Sequence, residues 1–340
     1  MFYYISMFVY SGICYVISFL FTFVSMLRTV LPFGLDVGLL GVAAYYLTML
    51  KKPDKFNVEN IFGPEPSSKD GTVYPEKVVK CIAHRGAGFD APENTLEAFK
   101  YCAERDCNFV ELDVRTSKDG QLVLLHDQGL ERLTGTNITN VKSVDWDTIK
   151  NIDIGATHPN RHQFKEVHLC RLEDALDYLL SKNCRMIIDV KGEDKQVING
   201  ILNTFSSRPL LYKFAAVTTF NPLILYQIRK KDPQIVGAIS YRPYCFSAQD
   251  YDAENGPSNP RSEVSYWRSL GVRCIGWCVN RPLEKLYWRG VLKAPYLSNT
   301  LLGEPEVEQN KERDKRSESR PTPVVDRLLE TEKRMTSGQN

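Results

Sequence analysis

Short apolar segments rich in β-branched residues alternate with helical patterns along the middle of the chain. Eight segments have the composition of strands: Val78–His84, Phe109–Arg115, Gln121–His126, Arg185–Lys191, Ala215–Phe220, Ile235–Ser240, Arg273–Val279 and a less regular one near Tyr296. Helical patterns separate several of them, at Thr95–Glu104, Leu172–Leu180, Gln196–Phe205 and Leu223–Lys230. Such alternation favours a parallel sheet with crossover helices, and about eight strands predict an α/β fold closed as a (β/α)8 TIM barrel. A doubly wound open sheet is the alternative, but no G-x-G-x-x-G follows the first strand.

The beginning of the chain has a different character. Residues 2–27 contain no Asp, Glu, Lys or Arg, and they exceed the ~20 residues that a membrane-spanning helix needs. The segment lacks the basic start and the A-x-A-like site of a cleaved signal peptide. A second apolar stretch, residues 29–50, contains the acid Asp36 and fits a second span, a re-entrant element or an interfacial helix. We therefore predict an integral membrane protein in which residues 1–50 form an anchor of one or two hydrophobic segments.

The composition also changes on both sides of the predicted barrel domain, residues 78–302. Residues 51–77 contain several prolines and a Ser-Ser-Lys-Asp-Gly run, which predicts a polar linker. Residues 303–340 are rich in Glu, Lys, Arg and Ser with few large apolar side chains, which predicts a disordered, charged tail. The formal net charge of +2 excludes a strongly basic nucleic-acid binder, so no nucleic-acid partner is expected.

Polar side chains suited to catalysis lie where predicted strands end. His84 ends the first strand and Arg85 follows it, in the run Ala-His-Arg-Gly-Ala-Gly, and His126 ends the third. Barrel enzymes assemble their sites at these strand ends. Between the first two strands comes Pro-Glu-Asn-Thr, in which Asn94 either starts a helix in a capping box with Glu97 or belongs to the site itself.

Charged side chains also lie within two strands. Glu111 and Asp113 alternate with apolar residues, so they share one face of their strand, about 6.6 Å apart. Asp189-Val-Lys191 repeats this spacing with one acid and one base, which by itself also fits a simple salt bridge. Carboxylates buried on one face require a cation or basic partners. Ligands that are all oxygen favour Mg²⁺, with Ca²⁺ as the alternative, over zinc.

These residues together predict a reaction. Two imidazoles can exchange the roles of proton donor and acceptor. A hard cation, with Arg85 and Lys191 as further positive charges, suits attack at phosphorus. The sequence therefore predicts phosphodiester cleavage.

Residues 81–127 resemble the glycerophosphodiester phosphodiesterase family in their H-R-G, P-E-N-T, E-L-D and H-D elements, at that family's spacing. The similarity continues through residues 164–191 and at residues 275–280, Ile-Gly-Trp-Cys-Val-Asn, which are similar to the family's late W-x-V-N strand. Within the family, the anchored architecture and the Asp-Val-Lys-Gly run are most similar to membrane members that act on glycerophosphoinositol. Those members are also described as lysophospholipases D and as interactors of a regulator of G-protein signalling.

The resemblance implies a TIM barrel with a small insertion at residues 128–171, and it implies roles for individual residues. Metal ligands would be Glu111, Asp113 and Asp189; the acid–base pair would be His84 and His126; the phosphate would contact Arg85 and Lys191; and Trp277 would help to bind the substrate. The products would be glycerol 3-phosphate and an alcohol from a glycerophosphodiester, or a lysophosphatidic acid and an alcohol from a lysophospholipid.

The sequence departs from the family pattern in three places. Asp189 stands where many members carry Glu, and residues 169–172, Leu-Cys-Arg-Leu, replace the usual Pro-Thr-Leu. The final strand, which commonly ends in Thr-Asp, here ends in Ser298-Asn299-Thr300 and offers no acid. None of these departures removes a residue of the predicted catalytic set.

Two kinds of function fit these features: the enzyme, and a catalytically weak membrane adaptor whose charged tail recruits a signalling partner. The complete charged set favours the enzyme. The signals for sidedness disagree. Lys51 and Lys52 place the barrel in the cytoplasm by the positive-inside tendency, whereas Asn137-Ile-Thr is a glycosylation sequon that requires the lumen. The resemblance favours a lumenal or extracellular barrel, glycosylated at Asn137, at the plasma membrane or an endomembrane.

Overall fold

A computed structural model of the chain describes residues 15–27, 37–38, 40–43, 46, 48–63, 81–192, 194–241 and 260–304. The chain divides into two units, Met1–Lys51 and Lys52–Asn340. In the first unit residues 15–27 are helical (α1), and the other described residues between 37 and 48 are helical too. Across these described ranges, no helix combines the length and the apolar character needed to cross a membrane. The rest of the predicted anchor, including Asp36, and residues 64–77 and 305–340 lie outside the described residues.

The second unit contains helices and strands in the alternating order that the sequence predicts. The helices are α2 (Lys55–Phe62), α3 (Leu96–Ala103), α4 (Glu131–Thr134), α5 (Trp146–Ile149), α6 (Leu172–Ser181), α7 (Lys195–Ser207), α8 (Leu211–Phe214), α9 (Pro222–Lys231), α10 (Pro260–Ser269) and α11 (Pro282–Tyr287). The strands are β1 (Cys81–Ala83), β2 (Phe109–Thr116), β3 (Leu122–Leu124), β4 (Arg185–Val190), β5 (Ala215–Thr219), β6 (Val236–Ile239) and β7 (Tyr296–Ser298). Short turns of other helix types cover His84–Gly86, Val141–Ser143, Arg161–Gln163 and Trp288–Leu292.

The strands form one sheet in the order β6-β5-β4-β2-β1-β7, with parallel neighbours throughout. The last strand pairs with the first, as in a TIM barrel, and β6 forms the opposite edge of the sheet within the described residues. The segment predicted as a strand at residues 273–279 joins β7 through a single bridge between Gly276 and Tyr296. The expected α/β barrel-like fold is therefore confirmed, with a half-barrel of parallel strands in the described residues.

Strand β3 corrects the prediction that eight parallel strands build the barrel. Leu122–Leu124 runs antiparallel to β2, because the tight turn at Ser117–Gly120 reverses the chain: the N–H of Gly120 donates to the carbonyl of Ser117. A parallel connection needs about a dozen residues or more, and residues 117–121 are too few. Strand composition indicates an extended segment but not its direction. The hairpin nevertheless brings His126 back beside β2.

The two faces of β2 differ in what they contact. Val110, Leu112 and Val114 are buried between the sheet and helices α3, α6 and α7. On the inner face, Phe109 and Ile187 belong to a second apolar cluster contributed by neighbouring strands. Further along the same face come Glu111 and Asp113. The barrel interior thus has an apolar layer near the amino-terminal ends of the strands and a charged layer towards their carboxyl ends.

Helix α2 packs into the apolar layer. Ile61 and Phe62 are buried in the cluster that contains Phe109, with the Phe62 and Phe109 ring centroids 5.8 Å apart. Asp54 caps the helix, since its Oδ1 accepts from the N–H of Phe56 at 2.7 Å. These residues fall in the stretch expected to be a linker, so the folded domain begins earlier than the sequence indicated. Helix α2 buries too few side chains for a helical period to be recognised.

Residues 128–171 fold around a small core of their own. Leu130, Val141, Ile149 and Val167 are buried together, apart from the main apolar cluster. Asn137 lies exposed on a bend of this insertion.

Replacement of Ile61 tests whether α2 is part of the folded domain. Ile61→Ala removes a fully buried side chain, so we expect the free energy of unfolding to fall by about 2–5 kcal/mol. Phe56→Ala, at a residue of the same helix that is 61% exposed, is the control and should change it by less than about 0.5 kcal/mol. Denaturant titration measures both variants. Equal and small changes in the free energy of unfolding of the two variants would show that α2 is not part of the folded domain.

Candidate active site

The turn after β1 places His84 and Arg85 in the charged layer. Arg85, Gly86 and Ala87 have φ angles of 55°, 77° and 65°, all in the left-handed region. A Cβ on Gly86 would lie 2.8 Å from Cβ of Ala98, so only glycine fits there. The turn directs the backbone N–H of Arg85 to Glu111 Oε2 at 2.9 Å. His84 Nε2 lies 3.7 Å from the same oxygen.

The three predicted metal ligands meet in this layer. Oxygens of Glu111, Asp113 and Asp189 lie within 4.8 Å of one another, and all three residues are buried. Asp113 and Asp189 are register partners on the adjacent strands β2 and β4, and Glu111 precedes Asp113 on the same face. Parallel register therefore produces the cluster that the residue spacing predicts.

The surrounding charges affect the three carboxyls differently. Burial, together with the carboxylates of Asp113 and Asp189, raises the pKa of Glu111 well above its usual range. Burial also raises the pKa of Asp189. Burial acts on Asp113 too, but Lys191 and Arg85 outweigh it, and the pKa of Asp113 is lowered. The layer thus places three acids against two fixed cations.

Lys191 is held by two of these acids. Its Nζ lies 2.7 Å from Asp189 Oδ2 and 3.1 Å from Asp113 Oδ1. Desolvation would lower the pKa of this ammonium, but the two carboxylates outweigh it and raise that pKa. The salt bridge between Asp189 and Lys191 that the sequence allowed is therefore present, and it is part of the carboxylate cluster.

The cluster fits a divalent cation. Asp189 Oδ1 is buried and accepts no hydrogen bond within the described residues, which leaves a ligand atom available. The ligand set contains only carboxylate oxygens, as Mg²⁺ and Ca²⁺ prefer. A cation among them would offset the burial and the mutual repulsion that together raise the pKa of Glu111.

Asn94 belongs to the site rather than to a capping box. Thr95 caps α3, since its hydroxyl accepts from the N–H of Ala98 at 3.1 Å. Asn94 Nδ2 donates to Asp113 Oδ2 at 2.8 Å, and Asn94 Oδ1 accepts from the N–H of Asp113 at 3.0 Å. Of the two alternatives for Asn94, the direct role is the one observed: the amide fixes the Asp113 carboxylate.

His126 lies near the carboxylate cluster, at the carboxyl ends of the strands. Its Nδ1 is 2.7 Å from Asp127 Oδ1, and its carbonyl accepts from Arg115 Nε and Nη2 at 3.1 and 2.8 Å. Burial lowers the pKa of His126, against the opposing effect of the Asp113 carboxylate. A lowered pKa favours the neutral imidazole, which can accept a proton near neutral pH.

Sequence reasoning missed Asn299. His84 Nδ1 lies 2.6 Å from Asn299 Oδ1 and 3.3 Å from Cys278 Sγ. The N–H of Asn299 donates to Asn280 Oδ1, and its carbonyl accepts from the N–H of Phe89. An acceptor at Nδ1 favours a proton on that nitrogen, so Nε2, the nitrogen near Glu111, is the one available for proton exchange. The position of Asn299 just after the last strand was the available signal.

Trp277 lies at the rim of the site. Its ring is 40% exposed and packs edge-on against Phe220, with centroids 5.7 Å apart. The Phe220 ring centroid is in turn 5.5 Å from Lys191 Nζ. Trp277 thus connects to the charged layer through Phe220.

The fold and this layer define a class of protein: an α/β-barrel enzyme whose mouth suits a phosphate ester beside a divalent cation. Within that class, the model of the glycerophosphoryl diester phosphodiesterase family matches residues 84–295. The chain belongs to that family, and the predicted enzyme class is confirmed.

Individual relatives agree with this assignment. The chain is 26% identical over 286 residues to human glycerophosphodiester phosphodiesterase 1, which covers 71% of this chain and 84% of the human protein. An Oleispira antarctica phosphodiesterase, solved in complex with the product sn-glycerol-3-phosphate, superposes with a TM-score of 0.54 at 17% identity, covering 67% of this chain and 96% of that one. The Thermotoga maritima glycerophosphodiester phosphodiesterase superposes with a TM-score of 0.50 at 21% identity, and the match covers 69% of this chain and 97% of that one. The two structures show the shared fold.

Thermal unfolding tests the cation site without an activity assay. At 100 times its Kd, a bound ion stabilises by about 2.7 kcal/mol, so Mg²⁺ or Ca²⁺ should raise the unfolding midpoint of the chelator-treated protein by about 5–10 °C. Glu111→Gln removes one repelling charge but keeps the acceptor for the Arg85 N–H. It should raise the midpoint in chelator and lose the ion-induced shift. Glu104→Gln, at an exposed acid, should retain that shift. An undiminished shift in Glu111→Gln would place the ion elsewhere.

Proposed function

We propose that this protein hydrolyses glycerophosphodiesters, with the help of a divalent cation, to glycerol 3-phosphate and an alcohol. The observation that carries the proposal is the meeting of three carboxylates, two imidazoles and two cations in one layer at the carboxyl ends of the strands. Membership of the family supports the reaction. The same arrangement weighs against a catalytically weak adaptor, because buried like charges serve no purpose in a protein that only recruits partners.

The charged residues have separate tasks in this proposal. Glu111, Asp113 and Asp189 would hold the divalent cation, most simply Mg²⁺, which would supply positive charge that stabilises the negative charge of the phosphate. Arg85 and Lys191 contact the phosphate and stabilise the charge that develops on it. The side chains of Arg85 and Lys191 are already held by buried carboxylates, so they need little reorganisation during the reaction.

His84 and His126 exchange the protons. One imidazole, unprotonated at Nε2, takes a proton from the attacking water. The other enters the step as an imidazolium, protonated on both nitrogens, and gives its Nε2 proton to the leaving alcohol. Asn299 at Nδ1 of His84 and Asp127 at Nδ1 of His126 make Nε2 the exchanging nitrogen of both rings.

The alcohol part of the substrate belongs to the proposal as well. We favour glycerophosphoinositol, on the resemblance carried by the Asp-Val-Lys-Gly run, and lysophospholipase D activity as a second reaction. The exposed rings of Phe220 and Trp277 supply an apolar surface next to Lys191. A signalling-protein partner for the charged tail stays a prediction, because residues 305–340 lie outside the described residues.

Replacement of either histidine should slow the reaction. His84→Ala and His126→Ala are each expected to lower the rate of glycerol 3-phosphate release from glycerophosphoinositol by about 10²–10⁴-fold, because each removes a proton-transfer group. Excess chelator should abolish the release. His162→Ala, at an exposed histidine of the insertion, is the matched control. Unchanged turnover in either active-site variant would exclude that residue, and full activity in chelator would exclude the metal role.

We also propose that residues 1–50 anchor the protein in a membrane and that the barrel is lumenal or extracellular. Large apolar side chains of α1 are exposed in the first unit, Phe19 by 70% and Phe21 by 78%. Exposed apolar area of this kind is costly in water and marks a membrane or protein contact. Asn137, which a glycan would modify, is exposed.

Glycosidase treatment tests sidedness directly. The full-length protein expressed in a secretory cell should resist extraction from membranes by alkaline carbonate and should migrate faster after glycosidase treatment. Asn137→Gln should remove the mobility shift without affecting membrane retention. Release by carbonate would contradict the anchor, and an unshifted wild-type band would favour the cytoplasmic side.

A further inference from the structure

One side chain of the insertion contacts both sides of the site. We propose that Arg132 is a positioning residue that holds His126 and Arg85 in their reactive arrangement, and that the insertion serves to deliver it. This inference rests on the proposed function. Its contacts form two arms: the first leads through Asp127 to His126, and the second leads through Glu93 to Arg85.

The first arm leads to the imidazole of His126. Arg132 Nε donates to Asp127 Oδ2 at 2.6 Å, and Asp127 Oδ1 lies 2.7 Å from His126 Nδ1. Burial would raise the pKa of Asp127, but the contacts with Arg132 and His126 outweigh it and lower that pKa. Asp127 is therefore a carboxylate, which keeps one proton on Nδ1 of His126. Arg132 fixes the second oxygen and with it the plane of the carboxylate.

The second arm leads to the guanidinium of Arg85. Arg132 Nη2 and Nη1 donate to Glu93 Oε1 and Oε2 at 2.6 and 3.1 Å. Glu93 Oε1 also accepts from Arg85 Nη1 at 3.1 Å. Arg85 Nε lies 3.4 Å from Asp113 Oδ2. The orientation of the phosphate-binding guanidinium thus depends on a carboxylate that Arg132 grips with two parallel bonds.

The insertion fixes the backbone from which Arg132 extends. Arg132 lies in α4, between Leu130 and Leu133, which are buried in the core of the insertion. Its carbonyl accepts from the Thr157 hydroxyl at 3.1 Å. The helical turn is thereby anchored, and the guanidinium reaches the two acids from a rigid base.

Exposure distinguishes positioning from a contribution to stability. The Arg132 side chain is 49% exposed, and ion pairs of such side chains add only about 0–1 kcal/mol to stability. Loss of Arg132 should therefore leave the fold nearly as stable. It would free the carboxylates of Asp127 and Glu93 to rotate, which moves the groups they orient.

Kinetics of the full-length enzyme test the inference. Arg132→Met keeps the apolar stem and removes the fork, and it should lower kcat by about 10–100-fold, the usual effect of losing an outer-shell contact, with KM changed less than threefold. Arg132→Lys, which keeps the charge but not the fork, should recover only part of the loss. Arg161→Met, at an exposed arginine of the same insertion, should behave as wild type. A wild-type kcat in Arg132→Met, or a fall in its unfolding midpoint as large as that of Ile61→Ala, overturns the proposal.

A double-mutant cycle tests the arm to His126. In the His126→Ala background Arg132→Met should cost less than in wild type, because the first arm then has nothing to orient and only the second arm, to Arg85, still acts. A cost that is the same in both backgrounds overturns that arm.

Nitrogen NMR of the His126 ring gives a readout that does not depend on the substrate. The wild-type ring should be the tautomer protonated at Nδ1, and Arg132→Met should give a mixture of tautomers. An unchanged single tautomer overturns the first arm even if the proposed substrate is wrong, whereas inactivity of the wild type on glycerophosphodiesters with the expected tautomer shift contradicts only the proposed function.

Discussion

The repulsion among three buried carboxylates is the interaction to which the rest of the site responds. Asp113 and Asp189 are neighbours across two parallel strands, and Glu111 lies two residues before Asp113. An ionised carboxylate without compensation is very costly to bury. Lys191, Arg85 and the amide of Asn94 each contact at least one of the three. These contacts offset part of the cost of the acids, while burial and the charges of Asp113 and Asp189 still raise the pKa of Glu111.

The apolar layer at the amino-terminal ends of the strands strengthens the electrostatic interactions in the charged layer. Ile61 and Phe62 of α2 and Phe109 of β2 fill the amino-terminal end of the barrel, so water has little access to the charged layer from below. A lower local dielectric strengthens every attraction and repulsion among the charges. The same packing that stabilises the domain would therefore strengthen the proposed binding of a cation and a phosphate at its mouth.

Local patterns in the sequence were sufficient for part of this structure. The period-two spacing of Glu111 and Asp113 predicted their shared face, and strand ends predicted His84 and His126. Contacts between distant parts of the chain could not be read in this way. Asn299 reaches His84 across 215 residues through the pairing of β7 with β1, and Arg132 of the insertion reaches Glu93 across 39. Similarly, β3 has the composition of a barrel strand, and its direction depends on a short turn.

The two proposed catalytic imidazoles are oriented in ways that differ in charge but agree in effect. His84 is held by the neutral amide of Asn299, whereas His126 is held by the carboxylate of Asp127. A carboxylate in place of Asn299 would add a fourth acid to a layer in which three already outnumber two cations, and it would repel an incoming phosphate. The charge of Asp127 is offset in part, because Arg132, which also pairs with Glu93, donates to it at 2.6 Å. His84 is thus fixed without a further acid in the layer, and the absence of an acid at the end of the last strand is consistent with the proposed chemistry.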